Sequence, residues 1–180
     1  SKKDEKKVVY VGTNAEFAPF EFLEGDKVTG FDMELIAEIG KVAGFEVEVK
    51  NQAFDGLLPA LQSGKIDLII AGMTVTDERK KAVDFSESYY TASQVIIVPA
   101  DNAAIKSFDD LKGKNVGVQI GTTGDTVISE IKEITNTKYN NGSEAVLALT
   151  TQKVDAVVID NEPAKNFVAK NTGLKVVDTG

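Results

Sequence analysis

The chain has 180 residues, of which 42% are hydrophobic and 27% are charged, and its formal net charge is −8. This composition is typical of a globular protein with one domain or two small ones, and the negative charge argues against nucleic acid as a partner. The sequence has neither cysteine nor histidine, which excludes disulfides, thiolate or imidazole metal sites and histidine-activated nucleophiles. No apolar run is long enough to span a bilayer. We therefore expect no metal and no cofactor, and any catalysis would depend on carboxylates, lysines or tyrosines.

The N-terminal part of the chain has the pattern of a parallel α/β sheet. Apolar segments that predict strands alternate with amphipathic segments that predict helices, and glycines mark the helix ends. The first helix is predicted to begin with Asp32 as its cap and to stop at Gly44. The predicted strands are residues 8–12, 45–49 and 67–71, and the second helix runs from 54 to 64.

A loop with three phenylalanines follows the first predicted strand. Phe17, Phe20 and Phe22 lie around Pro19, and a turn signal follows at residues 25–26. Aromatic side chains directly after a strand can form the wall of a ligand pocket, but they can equally fill the core. The residues alone leave both interpretations open.

The segment 71–90, AGMTVTDERKKAVDFSESYY, has the strongest functional signal in the sequence. Gly72 ends an apolar run, which allows a close approach to the backbone. Thr76 is predicted to cap a short helix, with Arg79 one turn inside it. A guanidinium beside threonine hydroxyls and backbone amides is suited to a carboxylate, because its planar fork makes two parallel hydrogen bonds. The alternative is an ordinary surface arginine.

The second part of the chain restarts the α/β pattern after an extended segment at 94–98. Strands are predicted at 115–119, 156–159 and 174–177, with a helical turn at 108–111 and helices opening after the IGTTGDT loop and at 143–150 and 163–170.

An internal repeat relates the two parts. Residues 59–72 match residues 147–160 through the shared pattern A-L-x-x-x-K-[IV]-D-x-[IV]-[IV]. One copy ends at Gly72 and the other at Asp160. In open α/β sheets ligands bind at the carboxyl ends of the strands. The repeat therefore predicts two similar lobes, one presenting Arg79 and the other Asp160.

Over essentially its whole length the chain resembles the polar amino-acid solute-binding proteins of ABC importers. The resemblance rests on five segments, of which the third is the most specific: VGTNAEFAPFEF, GFDMELIAEI, FDGLLPALQSGKIDLIIAGMTVTDERKKAVDFSESYY, LKGKNVGVQIGTTG and KVDAVVIDNEPA. It implies a two-lobed periplasmic-binding-protein-like α/β fold, each lobe a mainly parallel sheet flanked by helices, with the ligand in the cleft. The implied domains are lobe 1 at 1–91, a hinge strand at 92–98 and lobe 2 at 99–180.

The resemblance also implies a role for individual residues. Arg79 corresponds to the arginine that holds the ligand's carboxylate, and Asp160 to the acid that holds its ammonium group. The remaining implied positions contact the ligand backbone, sandwich its side chain or set its selectivity. They are Thr74, Thr122 and Thr123 beside the carboxylate; Ala71 and Gly72 beside the ammonium; Phe17 and Phe54 as aromatic walls; and Asn14 and Gln119 for selectivity.

The expected function is capture of a free amino acid for an ABC permease at the outer face of the membrane, with a lipid anchor in the full-length precursor. Because Asn14 and Gln119 are uncharged, a polar ligand such as glutamine is favoured. The family would continue beyond Gly180 and cover part of the first sheet, so we expect a shortened chain that either self-associates through lobe 1 or has that lobe partly disordered.

Two other functions remain open at the level of the sequence. A dehydratase-like enzyme on the same fold would need an acid in the cleft, for which Glu16 and Glu162 are the candidates. A ligand-sensing receptor domain is the third possibility.

Overall fold

A computed structural model describes residues 5–179, and these divide into two units between Ser86 and Glu87. Residues 92–98, predicted to be a hinge strand, lie in the second unit, and most of them belong to a strand of its sheet. The hinge role and the predicted domain bounds remain predictions.

Between residues 5 and 86 the first unit contains six strands and three helices. Its strands are β1 (Lys7–Thr13), β2 (Glu16–Phe17), β3 (Glu21–Glu24), β4 (Lys27–Thr29), β5 (Phe45–Asn51) and β6 (Leu68–Ile69). Its helices are α1 (Phe31–Ala43), α2 (Leu57–Gln62), which a 3₁₀ turn at Phe54–Gly56 precedes, and α3 (Asp77–Lys80).

The main sheet of this unit is parallel, as predicted, in the order β5–β1–β6. Helix α1 covers one face, where Met33 and Ile36 pack with Val11. On the other face the first residues of α2 pack near Gly12, where an added Cβ would clash with the side chain of Ile66. Strand β6 is shorter than the predicted 67–71, although backbone hydrogen bonds to β1 continue on both sides of it.

A small antiparallel sheet, β2–β3–β4, replaces the predicted loop after β1. The turn between β3 and β4 contains Gly25 with a positive φ of 63°. Glu21 is fully buried in this sheet. The pattern failed to reveal these strands because each is at most four residues long and carries charged side chains.

The second unit has five strands and three helices within the described residues. The strands are β7 (Gln94–Pro99), β8 (Asn115–Gln119), β9 (Thr135–Tyr139), β10 (Ala156–Asp160) and β11 (Leu174–Val177). The helices are α4 (Thr123–Ser129), α5 (Gly142–Thr150) and α6 (Asn161–Lys170), and a 3₁₀ turn spans Phe108–Leu111.

The five strands form one sheet in the order β11–β7–β10–β8–β9. Strands β8, β9 and β10 are parallel, whereas β7 runs antiparallel to both of its neighbours. The sheet is thus mixed, and β7, the second strand in the order, runs against the direction of the other four. Ile96, Val98 and Val158 lie in its core and are at most 1% exposed.

The internal repeat has the same local geometry in both units. Asp67 accepts a hydrogen bond from the Tyr10 N–H at 2.9 Å, and Asp155 accepts one from the Asn115 N–H at 2.8 Å. In each copy the aspartate of the shared pattern therefore holds the start of its own strand beside a neighbouring strand of the sheet. No helix within residues 5–179 is both long and apolar enough to cross a bilayer.

Candidate functional site

The carboxyl end of the first sheet carries Arg79 on a short, capped helix. Thr76 is the N-cap of α3, as predicted, and its Oγ1 accepts from the Arg79 N–H at 3.1 Å. Nη1 of Arg79 donates to the Thr74 carbonyl oxygen at 2.8 Å. The guanidinium carbon lies 5.6 Å from the centre of the Phe54 ring, a distance typical of a cation–π contact. The cap, the carbonyl and the ring together fix where the guanidinium points.

Arg79 is also the only arginine in the chain, since the other 19 of its 20 basic residues are lysines. A basic residue on an exposed helix needs no guanidinium to stay in solution, and lysine serves elsewhere in this sequence. Arg79 lies where the planar fork of guanidinium donors could bind a carboxylate. This pattern favours a binding role over that of an ordinary surface arginine.

Gly72 adopts a left-handed conformation and touches an aromatic ring. Its φ is 56°, and an added Cβ would lie 3.0 Å from the Phe17 ring. Its N–H donates to Oδ2 of the fully buried Asp32 at 2.8 Å. The prediction that Asp32 caps α1 was wrong, because Gly30 is the N-cap and the Asp32 carboxylate is directed to the Gly72 backbone. We predicted that the missing side chain of Gly72 would let a ligand approach the backbone, but the Phe17 ring already lies against it.

The other predicted residues of the first unit are mostly buried. Phe17 is 8% exposed and Phe54 is 9% exposed, and Ala71 packs with Phe54 in one apolar cluster. Asn14 is also buried, and its Nδ2 donates to the Gln52 carbonyl oxygen at 2.8 Å. This hydrogen bond fixes the side chain of Asn14, which was predicted to set selectivity.

In the second unit the predicted residues Gln119, Thr122 and Thr123 follow one another around the turn from β8 into α4. Thr122 is the N-cap of α4, and its hydroxyl donates to the Gln119 carbonyl oxygen at 2.8 Å. The Gln119 side chain is buried at 2% exposure. These residues lie at the carboxyl end of β8, the sheet edge where ligands of α/β proteins bind.

Asp125 holds this turn in place. Its carboxylate accepts from the Gly121 N–H at 2.9 Å and from Asn136 Nδ2 at 2.9 Å, and Lys138 Nζ lies 3.3 Å from it. Burial acts to raise the pKa of Asp125, but hydrogen bonds from Gly121, Asn136, Ser129 and Lys138 outweigh it and lower the pKa. The carboxylate is therefore ionised at neutral pH and anchors the turn.

Asp160 ends β10 and is linked to a residue that sequence reasoning missed. Asp160 is buried at 6% exposure, and its Oδ1 accepts from Gln94 Nε2 at 2.6 Å. The same Nε2 donates to Thr123 Oγ1 at 2.9 Å. Gln94 thus brings two predicted site residues together. The one signal that pointed to it is a polar residue opening the otherwise apolar strand QVIIVP.

Among the described residues, no group of three or more acidic side chains is arranged to hold a metal ion. The two acids considered for catalysis have other surroundings. Glu16 is exposed on β2, and Glu162 pairs with Lys165 at 2.9 Å in the first turns of α6.

The chain belongs to the bacterial extracellular solute-binding proteins, family 3, which match residues 9–174. It is 42% identical over 164 residues to the "Probable histidine-binding protein" of Campylobacter jejuni, covering 91% of this chain and 64% of that protein. It is 40% identical over 173 residues to the "Arginine-binding extracellular protein ArtP" of Bacillus subtilis, covering 94% of this chain and 68% of the other. The chain thus spans about two thirds of the length of these relatives.

Solved structures with the same fold include arginine-binding proteins. The holo form of ArgBP from T. maritima is 44% identical, with a TM-score of 0.92 over 96% of this chain and 77% of that one. An ancestral arginine-binding protein, solved with arginine and also with glutamine, is 47% identical with a TM-score of 0.93; the arginine complex covers 96% of this chain and 79% of that one.

Family membership confirms the predicted fold class and the resemblance on which it rested. Because the members of the family are binding proteins, it also decides against the enzyme that the sequence had left open.

Proposed function

We propose that this chain binds a free amino acid with a polar side chain and delivers it to the permease of an ABC importer. The observation that carries the proposal is the placement of two opposite charges relative to the internal repeat. Arg79 follows the end of the first copy, and Asp160 is the last residue of the second. An amino-acid zwitterion needs one fixed cation and one fixed anion.

The roles follow from the chemistry of the two groups. The Arg79 guanidinium takes the α-carboxylate, with Thr74, Thr122 and Thr123 assisting. Asp160 takes the α-ammonium, with the backbone at Ala71 and Gly72 assisting. Each charge-assisted hydrogen bond contributes about 1.5–3 kcal/mol. Phe17 and Phe54 flank the ligand's side chain, and Asn14 and Gln119 contact its polar end.

Calorimetry on two variants tests the charges. Arg79→Lys keeps the charge but loses the bidentate fork, and Asp160→Asn keeps the shape but loses the charge. We expect each to weaken binding by at least about 30-fold, since truncating one partner of a desolvated charge pair costs about 2–5 kcal/mol. Lys80→Ala and Asp101→Asn are matched controls at exposed positions. Native affinity in either test variant would remove that residue from the site.

N-acetylated amino acids provide a second test of Asp160. Acetylation removes the positive charge of the ammonium group, so these ligands should bind the native protein at least tenfold more weakly than the free amino acids. Equal affinity for the two forms would make Asp160 a structural residue.

A thermal-shift screen of the common amino acids tests selectivity. The uncharged Asn14 and Gln119 favour glutamine, while the names of the relatives point to arginine and histidine. We expect the largest stabilisation from a ligand with a polar, nitrogen-bearing side chain. If arginine and lysine alone stabilise the protein, the preference for glutamine is wrong; if only apolar amino acids do, the proposed ligand class is wrong.

The proposal extends to place and partners. The family is extracellular, and we infer that the full-length protein works at the periplasmic or outer face of the membrane, held there by a lipid anchor and docking on its permease. We also propose that the 180-residue chain self-associates through the first unit, because Val8 and Tyr10 of its central strand are each 39% exposed. A ligand-sensing receptor domain would bind the same ligands but fail to support uptake by a permease.

A further inference from the structure

Gln94 lies where the chain enters the sheet of the second unit, and its amide contacts two residues of the proposed site. Because β7 and β10 are antiparallel, the first residue of one strand pairs with the last residue of the other, and Gln94 stands directly beside Asp160. Its Nε2 lies 2.6 Å from Asp160 Oδ1 and 2.9 Å from Thr123 Oγ1. One amide nitrogen thus donates both of its hydrogens to groups expected to contact the ligand.

The backbone around Gln94 is fixed on several sides. The neighbouring pair is reciprocal: the Ser93 N–H donates to Asn161 Oδ1 at 3.1 Å, and the Asn161 N–H donates to the Ser93 carbonyl at 2.9 Å. Thr179 Oγ1 donates to the Gln94 carbonyl oxygen at 2.7 Å. The start of β7 therefore holds the amide in one place relative to Asp160.

The orientation of the amide is set by its two acceptors. Oε1 of Gln94 is buried and has no hydrogen-bond partner among the described residues, and a Cβ at Gly124 would lie 2.9 Å from it. A flipped amide would place this oxygen 2.6 Å from the Asp160 carboxylate, where the two would repel each other. The orientation shown leaves a buried oxygen unsatisfied, which is costly. It is nevertheless favoured over the flipped amide, because only this orientation makes the two donated hydrogen bonds.

The two hydrogen bonds from Gln94 determine whether Thr123 and Asp160 act as donor or acceptor towards a ligand. A hydroxyl that accepts from Nε2 must aim its own hydrogen elsewhere, so Thr123 becomes a donor, which suits a carboxylate. The Asp160 carboxylate, held at Oδ1, is an oriented acceptor, which suits an ammonium group. We propose that Gln94 is the positioning residue of the second unit, whose amide gives Asp160 and Thr123 the opposite polarities that a zwitterion requires. This inference rests on the proposed function.

The test is the affinity of the 180-residue chain for its best ligand from the amino-acid screen. Gln94→Leu keeps the approximate size but removes both donors, and we expect a loss of tenfold or more. Gln94→Glu keeps the shape but sets a carboxylate against Asp160, and we expect a larger loss. If the leucine variant fails to fold, the glutamate variant decides alone. Thr179→Val is the control, since it removes a bond to the Gln94 backbone but leaves the amide, and its affinity should stay within twofold of native.

A double-mutant cycle separates positioning from simple packing. If Gln94 acts through Asp160, the leucine substitution should have little further effect in an Asp160→Asn background, but its full effect in an Arg79→Lys background. Equal effects in both backgrounds, or native affinity of the glutamate variant, would overturn the inference. If Arg79→Lys and Asp160→Asn themselves bind normally, the proposed function fails instead.

Discussion

At the scale of single residues, the repeat has a position where both copies have a left-handed backbone but only one of them has glycine. Gly64 in the first copy and Gln152 in the second both have left-handed φ angles, 76° and 62°. Glycine adopts this conformation freely, whereas other residues pay a steric penalty of about 1–2 kcal/mol. Gln152 is exposed, and no side-chain contact explains its presence.

We expect Gln152→Gly to stabilise the second unit by about 0.5–1 kcal/mol, because relief of the strain exceeds the extra entropy of glycine in the unfolded chain. Urea unfolding followed by circular dichroism measures it. The matched control is Gly64→Gln, where no atom within 4 Å blocks a side chain, so only the backbone is affected. This control should destabilise the first unit by a similar amount. The argument would be refuted if Gln152→Gly destabilised the second unit or Gly64→Gln stabilised the first.

Some residues of the site could be predicted from the sequence and others could not. Asp160 was visible because it ends an apolar run, and Arg79 because it lies in the first turn of a short helix with a recognisable cap, Thr76. The roles of Asp32 and Gln94 were not, because their partners lie 40 and 66 residues away along the chain. Which distant groups meet depends on the order and direction of strands, and no local pattern gives that.

At the scale of elements, the turn from β8 into α4 depends on Asp125. The folded protein lowers the pKa of this carboxyl group below its unfolded value of about 3.9. Its stabilising effect is therefore complete above the unfolded pKa and is lost as pH falls through the lower, folded pKa.

We expect Asp125→Asn to destabilise the second unit by about 1–3 kcal/mol at pH 7, since buried donors lose their acceptor. The difference from native should shrink at pH 3, because the carboxyl group is then mostly protonated in the unfolded chain, whereas its pKa is lower in the folded protein. Urea unfolding at the two pH values measures both quantities. Asp109→Asn removes the same charge from a side chain that is 89% exposed, and should change stability by less than about 0.5 kcal/mol. A pH-independent effect of Asp125→Asn would contradict this account.

Elements with a strong apolar period were predicted within a few residues, and polar ones were missed. Strand β9, with the sequence TNTKY, lies at the edge of its sheet and has no apolar face to recognise. The strands β2–β4 were overlooked because their short, charged sequence resembles a loop. Strand β9 and strands β2–β4 form because they pair with neighbouring strands, and a local sequence pattern does not reveal such pairing.

At the scale of the molecule, the sheet face opposite α1 has a mixed character. Strong self-association through this face would need contiguous apolar surface, but the register places charged residues of β5 beside the apolar ones of β1. Val8 pairs with Glu46 and Tyr10 with Glu48, and Lys50 Nζ lies 5.3 Å from the centre of the Tyr10 ring. The charges reduce the driving force for association without removing it.

We therefore expect weak self-association, detectable by light scattering above about 100 μM, an affinity of roughly 5 kcal/mol. Tyr10→Lys should suppress it by adding a charge at the centre of the face. Val42→Lys, at an 89% exposed position on α1, is the control and should leave it unchanged. A monomer at every concentration, or suppression by the control alone, would remove this face from the interaction.

The position of β7 between β10 and β11 has a consequence for the order in which the chain is assembled. These neighbours begin 62 and 80 residues after β7 starts, so a ribosome must release the chain through Val177 before β7 can pair on both sides. The first sheet needs only the residues up to β6. During synthesis the half that carries Arg79 can thus complete its strand pairing while the half that carries Asp160 still waits for its final strands.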